Sequence, residues 1–322
     1  MKMDIVACTD KWFVMPTGVM MYSVCVNNPD VDIVFHLLID ENVSANDQLD
    51  LENVIAPFKG KKVKFYLVHS EQLSEYFPFS EYRRDITEVA YYRLYLTYFL
   101  PQMIDKVLYL DGDMIVRHSL LPLWETDLTE YAVGVACDEA SGMIEYYNRL
   151  KYPPGLGYFN SGMLLINLRY WREKQVVNEF TEYLQYHSDD IRCHDQDVLN
   201  YVFREKKKEV SVKYNLQNGF LYKRPNYDCL KYEQDVLEAI KDPVIVHFVG
   251  HKPWNVYTRV PIHPFASTFF KYQNQTKWKG VRTEKRPMKM RIINFVADVL
   301  RKVGLKSQLP RCYQYIDITP ID

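Results

Sequence analysis

Short apolar runs alternate with amphipathic stretches through the first third of the chain. Apolar runs that are rich in β-branched residues and bounded by Gly or Asp are typical of buried β-strands. Five runs fit this description, and they cover residues 4–8, 32–39, 62–68, 107–111 and 114–116. We therefore expect a buried sheet to begin near the start of the sequence.

Helical periodicity fills the intervals between these runs. Residues 16–26 and 87–100 carry apolar side chains at helical spacing. Ser44, with Asp47 three residues later, is typical of an N-cap and predicts a helix that extends to about Ile55. Strands that alternate with helices imply βαβ units and a mostly parallel sheet.

Three of the predicted strands end beside an aspartate, namely Asp10, Asp40 and Asp111. In open α/β sheets, ligands bind at the carboxyl ends of the strands. The three carboxylates therefore predict a ligand site at that edge of the sheet.

The second half of the chain is less regular. Residues 132–137 and 243–249 predict strands, and residues 170–187 and 195–204 predict helices. No internal repeat or low-complexity linker separates these elements from the first half. Residues 1–275 are therefore expected to form one nucleotide-binding, Rossmann-like α/β domain with a mixed, mostly parallel sheet.

Residues 276–322 form a tail of different character. Within residues 286–306, apolar side chains recur at helical spacing beside basic ones. Residues 281–306 carry a net charge of +6, against −7 for the rest of the chain. A basic amphipathic helix outside the main domain is typical of a segment that binds an anionic membrane surface. A helix docked on the domain through its apolar face is the alternative.

Composition narrows the class of protein. The 322 residues are 48% hydrophobic, which suffices for a sizeable core, and the net charge of −1 argues against a nucleic-acid binder. The six cysteines form no CxxC pair, as is typical of reduced residues in a cytosolic protein. Neither a signal-peptide pattern nor a run of about 18 apolar residues is present. We expect a cytoplasmic protein, peripheral at the inner face of the cell membrane if the tail binds lipid.

Asp111 and Asp113 are the first candidates for chemistry. They lie two positions apart at the end of a predicted buried strand, so their side chains point the same way in extended backbone. Gly112 between them permits a turn or the close approach of a ligand. Paired carboxylates repel each other unless a cation lies between them, and such hard ligands suit Mg²⁺ or Mn²⁺. A turn with two solvated acids is the alternative.

The sequence HFVGHKPW at residues 247–254 is the second candidate. His247 interrupts an apolar strand, where a buried core histidine is the alternative to a ligand. Gly250 and Lys252 follow at the strand end and could hold phosphate oxygens. If His247 met the aspartate pair in space, two oxygens and one imidazole would suit Mn²⁺ somewhat better than Mg²⁺.

The sequence HDQDVLN at residues 194–200 opens a predicted helix and is the third candidate. Asp195 and Asp197 could simply be favourable charges on the first helical turn. Gln196 between them could face a cleft, and a separate metal cluster that also includes His194 is a further alternative.

Several motifs together resemble the retaining glycosyltransferases of family eight, especially bacterial lipopolysaccharide α-galactosyl- and α-glucosyltransferases and, more distantly, glycogenin. In order along residues 3–275, the matching segments are DIVACTD (4–10), YYRLYL (91–96), KVLYLDGDMIV (106–116), SLLPLWETDL (119–128), GVACDE (134–139), YFNSGMLLINLRYWR (158–172), HDQDVLN (194–200) and HFVGHKPW (247–254). Several motifs in one order are far more specific than any one alone.

The resemblance implies a GT-A-type fold and a UDP-sugar as the donor, either UDP-galactose or UDP-glucose. It implies that Asp111, Asp113 and His247 hold Mn²⁺ against the diphosphate, and that Gly250 and Lys252 contact the phosphates. The GHKPW loop is one residue shorter than in many bacterial relatives.

For the rest of the donor, the resemblance places Cys8, through its backbone, and Asp10 beside the uridine. Arg93 and Asp111 would approach the diphosphate and the ribose. The family often has Asn-Tyr shortly after the first-strand aspartate, where this chain has Trp12 and Phe13.

Around the transferred sugar, the resemblance implies that Asp138 bonds hydroxyl groups and that Asn160, Asp195 and Gln196 surround the anomeric centre. An amide is a poor nucleophile, so Gln196 favours attack of the acceptor on the face that the leaving diphosphate occupies. Asp195 and Asp138 are the carboxylates to test for a covalent intermediate.

The expected function is transfer of galactose or glucose to a saccharide or lipid-linked saccharide in surface polysaccharide synthesis. A glycogenin-like self-glycosylating primer is one alternative, since the chain has 26 tyrosines. Another metal-dependent nucleotide-processing enzyme, such as a nucleotidyltransferase or phosphohydrolase, also uses paired aspartates.

Overall fold

The structure is a computed structural model, and it describes residues 1–69, 88–222, 225–255 and 263–282, with Val296, Val299, Leu300, Val303 and Leu305. Most of the predicted amphipathic helix at residues 286–306 lies outside the described residues. The division into a domain and a tail stays a prediction.

The described residues form ten strands: β1 Lys2–Thr9, β2 Asp32–Ile39, β3 Lys61–Leu67, β4 Lys106–Leu110, β5 Met114–Val116, β6 Val133–Cys137, β7 Phe159–Asn167, β8 Lys207–Glu209, β9 Leu216–Gln217 and β10 Ile245–His247. The main sheet has the order β3-β2-β1-β4-β7-β6-β8, and a small sheet has the order β5-β10-β9. In the main sheet, β7 is antiparallel to both of its neighbours and the other pairs are parallel. The prediction of a mixed, mostly parallel sheet in a Rossmann-like domain is confirmed.

The α-helices of the described residues are α1 Val14–Asn27, α2 Ala45–Ile55, α3 Leu96–Phe99, α4 Leu121–Trp124, α5 Ile144–Leu150, α6 Leu168–Glu173, α7 Val176–Tyr186, α8 Asp195–Phe203, α9 Cys229–Lys241 and α10 Ala266–Gln273. The N-cap prediction at Ser44 is confirmed, because its hydroxyl accepts from the Asp47 N–H while the Asp47 carboxylate accepts from the Ser44 N–H.

Two predicted helices differ from the structure. Residues Glu88–Tyr95 form a 3₁₀ helix, and only Leu96–Phe99 is α-helical. The stretch predicted at residues 170–187 is two helices, broken at Gln175, which has a left-handed backbone with φ of 52°. The break allows Trp171 and Phe180, one on each helix, to pack with ring centroids 5.3 Å apart.

The first residues of the predicted tail pack on the domain. A Cβ at Gly18 of α1 would lie 2.3 Å from the Trp278 ring, so the indole requires a glycine there. Lys277 also pairs with Asp50 of α2 at 2.5 Å. The chain therefore stays in contact with α1 and α2 at least as far as Trp278.

Candidate active site at the carboxyl end of the sheet

Asp111 and Asp113 flank the turn that carries the chain from the main sheet to the small one. Asp111 follows β4 and Asp113 precedes β5. A Cβ at Gly112 would lie 2.4 Å from the Thr17 hydroxyl, so the turn requires glycine. In the small sheet, β10 pairs with β5 in antiparallel register that sets His247 opposite Met114. The register therefore places the imidazole next to Asp113.

The three predicted ligands converge. His247 Nε2 lies 3.2 Å from Asp113 Oδ1 and 3.7 Å from Asp111 Oδ2, and one ligand atom from each residue fits within 4.8 Å of the others. Among the described residues, this is the group of His, Cys, Asp and Glu side chains that is close enough to hold a metal ion. His247 is buried, as a core histidine would be, but it lies beside the acid pair.

Positive charges surround the carboxylate pair. Burial alone would raise the pKa of Asp113, but Lys252 and His247 outweigh it and hold that pKa far below its usual range. Lys252 Nζ contacts Asp113 Oδ2 and also donates to the Phe248 carbonyl at 2.7 Å. Asp111 Oδ1 accepts from Arg93 Nη2 at 2.9 Å.

Arg93 joins Asp111 to a third carboxylate. Its Nε lies 3.2 Å from Asp195 Oδ2, although the Nε–H donates to the Ala90 carbonyl, so the attraction to Asp195 is one of charge. Burial raises the pKa of Asp195 to about 6 even though Arg93 opposes the shift. Asp195 is therefore a carboxyl group that can hold or release a proton near neutral pH.

Asp138, Asn160 and Gln196 form a hydrogen-bonded network on the other side of the site. Asp138 Oδ2 accepts from Asn160 Nδ2 and from Gln196 Nε2, both at 3.1 Å, and Asp138 Oδ1 accepts from the Ala140 N–H at 2.8 Å. Burial raises the pKa of Asp138, and these hydrogen bonds oppose the shift only in part. Neutral donors, and not a paired cation, hold this carboxylate.

The start of α8 presents Asp195 and Gln196 to the cavity. The preceding residue, His194, has φ of 53° and ψ of −130°, a backbone conformation that residues other than glycine rarely adopt. Asp197 points away and is fully buried, where it pairs with Arg149 at 2.5 Å and accepts from Tyr158 at 2.8 Å. Asp197 is therefore structural, and the alternative of a metal cluster with His194 and Asp195 is wrong.

A cavity of about 350 Å³ brings most of the predicted residues together. Its walls include Arg93, Asp111, Asp113, Asp138, Asn160, Asp195, Gln196, His247 and Lys252, together with Glu139, Ala140, Tyr146, Ser161, Gly162, Cys193, His194 and Val249. Three of the predicted donor contacts lie outside these walls: Cys8, Asp10 and Gly250. Burial raises the pKa of Cys8 to about 12, so its thiol stays protonated at neutral pH.

Sequence reasoning missed two residues of this site. Gly162 is one, because a Cβ there would lie 2.4 Å from His247 Cε1 and 2.7 Å from Asp111 Oδ2. The break in apolar character at Asn160 and Ser161 is the signal that could have drawn attention to it. Asn215 is the other, and its Oδ1 lies 3.0 Å from His247 Nδ1. Asn215 is a lone asparagine before a two-residue strand, and no sequence pattern around it indicates a functional residue.

The residues present fit a divalent cation. Two carboxylates and one imidazole are a donor set that suits Mn²⁺, with Mg²⁺ as the harder alternative. Gly162 leaves room beside the imidazole that any larger residue would fill. The side chains are nearly buried, so their charges require the counter-charge that Lys252 and Arg93 supply in this structure.

Comparison with known proteins agrees with this geometry. The chain is 28% identical to general stress protein A of Bacillus subtilis over 87% of this chain and 96% of the relative. It is 27% identical to the lipopolysaccharide glucosyltransferase WaaO of Escherichia coli and to the lipopolysaccharide 1,3-galactosyltransferase of Salmonella typhimurium, in each case over 86% of this chain and 79% of the relative.

Solved structures show the same fold. The galactosyltransferase LgtC in complex with donor and acceptor sugar analogues has a TM-score of 0.72 and 29% identity, over 90% of this chain and 99% of LgtC. The fold and the site define an α/β glycosyltransferase of GT-A type. The chain belongs to glycosyl transferase family 8, whose family model matches residues 4–258. Among the described residues, none of the helices combines the length and apolar character needed to cross a bilayer.

Proposed function

We propose that this glycosyltransferase moves galactose or glucose from a UDP-sugar to a saccharide acceptor, with retention of configuration and with Mn²⁺ as cofactor. The convergence of Asp111, Asp113 and His247 beside Lys252 is the observation that carries the proposal. It supplies a cation site and a further positive charge at one end of a cavity whose other end is lined with amides.

The metal ion would be held by Asp111, Asp113 and His247, and it would neutralise charge on the departing UDP. Lys252 is a second positive charge at the same place, and it would turn from Asp113 to the phosphates when the donor binds. Arg93 keeps Asp111 oriented from the side away from the imidazole, since its Nη2 bonds Oδ1 while Oδ2 faces His247.

The orientation of Gln196 supports same-face attack. Its Oε1 accepts from Asn160 Nδ2 at 3.0 Å and from the Ser161 N–H at 3.1 Å, and its Nε2 donates to Asp138. A flipped amide would set a donor against the Ser161 N–H. Because both lone-pair directions of Oε1 are engaged, Gln196 acts as a hydrogen-bond donor to the sugar and not as a nucleophile. A diphosphate oxygen then takes the acceptor's proton.

The relatives and the tail support a proposal for the acceptor class. The relatives that act on lipopolysaccharide favour a saccharide or lipid-linked saccharide. Four apolar side chains of the tail, Val296, Val299, Val303 and Leu305, are exposed, as expected for a face that contacts lipid. We infer a cytoplasmic enzyme that touches the anionic inner face of the membrane. Removal of residues 283–322 should abolish binding to anionic vesicles and leave donor hydrolysis intact.

A screen of UDP-sugars with Mn²⁺, read as release of UDP, tests the proposal. Activity should appear with UDP-galactose or UDP-glucose and be lost in Asp113→Ala. Asp127→Asn is the matched control, because Asp127 is an exposed loop acid that bonds only its neighbour Thr129 among the described contacts. Equal activity in Asp113→Ala and the wild type would reject the proposed site.

The products separate the alternatives. A glycosyltransferase breaks the bond to the anomeric carbon and releases UDP, whereas a phosphohydrolase breaks the diphosphate and releases UMP with hexose 1-phosphate. Hexoses found on the protein itself by mass spectrometry would indicate a self-glycosylating primer. An isolated glycosyl adduct on Asp138 or Asp195 would overturn same-face attack.

A further inference from the structure

Asn215 lies behind the imidazole of His247. It follows a 3₁₀ turn at Val212–Tyr214 and precedes β9, which pairs in parallel with β10. Its side chain is fully buried. Its Oδ1 is 3.0 Å from His247 Nδ1, on the side of the ring opposite to the aspartate pair, and its Nδ2 is 3.0 Å from Asn160 Oδ1.

The direction of these hydrogen bonds is fixed by a backbone group. The Gly162 N–H donates to the Asn160 side chain at 3.0 Å, and a backbone N–H cannot accept, so the atom that receives it is Oδ1. The Asn215 atom that faces the same Oδ1 must then be a donor, which makes it Nδ2. The Oδ1 atom of Asn215 therefore faces the imidazole.

The imidazole must therefore carry a proton on Nδ1. A bare Nδ1 would set its lone pair against Asn215 Oδ1 inside a buried network, where two facing acceptors repel each other. With Nδ1 protonated, Nε2 is the ring nitrogen that can offer a lone pair, and Nε2 is the one that faces Asp111 and Asp113.

The aspartates favour the opposite arrangement. Asp113 Oδ1, 3.2 Å from Nε2, attracts a proton to that nitrogen. In the absence of Asn215 Oδ1, a neutral imidazole would place its single proton on Nε2, and a metal ion would have to displace it. Asn215 opposes this preference by holding a proton on the far side of the ring.

We propose that Asn215 is a positioning residue that keeps His247 Nδ1 protonated and so reserves Nε2 for the cation. The inference rests on the proposed metal site, and nothing in the family comparison assigns a role to this asparagine. Through Asn160, the same amide joins the metal ligand to Asp138 and Gln196 by one continuous chain of hydrogen bonds. The two ends of the cavity are therefore oriented by one network.

Nitrogen-15 NMR of the histidine-labelled, metal-free protein at mildly alkaline pH tests the inference without any enzyme assay. In the wild type, the Nδ1 shift of His247 should be that of a protonated nitrogen. In Asn215→Leu, which keeps the branched side chain of four heavy atoms but removes the acceptor, Nδ1 should become bare. Asn215→Asp restores an acceptor for Nδ1 and should restore the protonated Nδ1, while its second oxygen gives up the hydrogen bond to Asn160 Oδ1.

Binding of Mn²⁺ in the presence of UDP, followed by electron paramagnetic resonance, is the second measurement. Asn215→Leu should weaken Mn²⁺ binding about 10–100-fold, as is typical when the partner of a metal-bound histidine is lost, and Asn215→Asp should recover most of the affinity. Asn28→Leu is the matched control: Asn28 is also buried, donates to Val24 O and accepts from the Leu120 N–H, and lies apart from the cavity. It should leave Mn²⁺ binding unchanged.

A bare Nδ1 in the wild type would overturn the inference, as would an unchanged Nδ1 or unchanged Mn²⁺ affinity in folded Asn215→Leu. If Asn215→Leu does not fold, the wild-type Nδ1 shift and the Asn215→Asp variant still decide. Failure of the wild type to bind Mn²⁺ with UDP would instead count against the proposed function, while the NMR measurement would remain a test of Asn215.

Discussion

The two ends of the cavity hold their carboxylates by different means. At the metal end, which comprises Asp111, Asp113 and His247, the acids are matched by the full charges of Arg93 and Lys252. At the sugar end, which comprises Asp138, Asn160 and Gln196, the acid is held by neutral N–H donors. The pKa of Asp113 is held far below its usual range as a result, whereas burial raises the pKa of Asp138.

This difference corresponds to what each end would do. In the proposed reaction, negative charge would develop on the departing diphosphate, for which the metal end supplies fixed charges and a site for an exchangeable cation. The sugar end has to orient hydroxyl groups and the anomeric carbon, for which directional hydrogen bonds are sufficient.

Removal of a ligand at the metal end should have the largest effect. We expect Asp113→Ala to lower the rate of UDP release about 10³-fold or more, which corresponds to about 4 kcal/mol of transition-state stabilisation. Rates at saturating UDP-sugar and Mn²⁺ measure it, with far-UV circular dichroism to confirm folding. A loss of less than tenfold would mean that the leaving group does not depart at the metal end.

The second prediction compares stability between the two ends. Asp113→Asn leaves Lys252 without its carboxylate partner and should lower the free energy of unfolding at pH 7 by about 2–3 kcal/mol. Asp138→Asn removes a charge that burial disfavours, but both oxygens of Asp138 accept hydrogen bonds, so the new NH2 group faces an N–H donor. The two effects offset each other in part, so the loss should be about 1 kcal/mol and smaller than that of Asp113→Asn. Urea denaturation of both variants measures the difference. Equal losses would remove the distinction between charge pairing and neutral hydrogen bonding.

The stability of the protein should depend on pH through Asp195. The pKa of Asp195 is about 6 in the fold against 3.8 for a free carboxyl group, so between these values the folded protein holds a proton that the unfolded chain has lost. The contribution of Asp195 to stability therefore falls as pH rises through this window and levels off above about pH 6. Asp195→Asn should remove this slope and raise stability at pH 7 by about 1–3 kcal/mol. An unchanged slope between pH 4 and 6 would contradict the shift.

Much of this contrast could be predicted from the sequence, but only at the metal end. Asp111 and Asp113 lie at the end of an apolar strand and His247 interrupts another, and unpaired charge is costly beside a buried strand, so the pattern itself favours a ligand site. The buried strands and the capped helix at Ser44 follow from equally local patterns.

The rest depends on contacts between distant residues. Asn215 matters because β9 pairs with β10, and no local pattern indicates that pairing. Gln175 carries no glycine or proline signal, yet its backbone is left-handed at a break between two helices whose Trp171 and Phe180 rings pack together. The orientation of Gln196 is set by Ser161 and Asn160, which lie some 35 residues earlier in the chain. The sugar end is assembled in this way and could be assigned only by resemblance.

The smallest effect should come from the strained residue where α8 begins. His194 has a positive φ of 53°, so His194→Gly relieves backbone strain but gives up the edge-on contact of the imidazole with Tyr91, whose ring centroid lies 6.2 Å away. We expect a net gain in stability of no more than about 1 kcal/mol, because added freedom in the unfolded chain offsets part of the relief. The turnover number should fall severalfold, since a freer turn holds Asp195 and Gln196 less firmly, while Mn²⁺ binding with UDP should not change. Thermal denaturation, kinetics and Mn²⁺ titration of the same variant measure all three. A weakened Mn²⁺ affinity would show that the two ends are coupled through α8 as well as through Asn215.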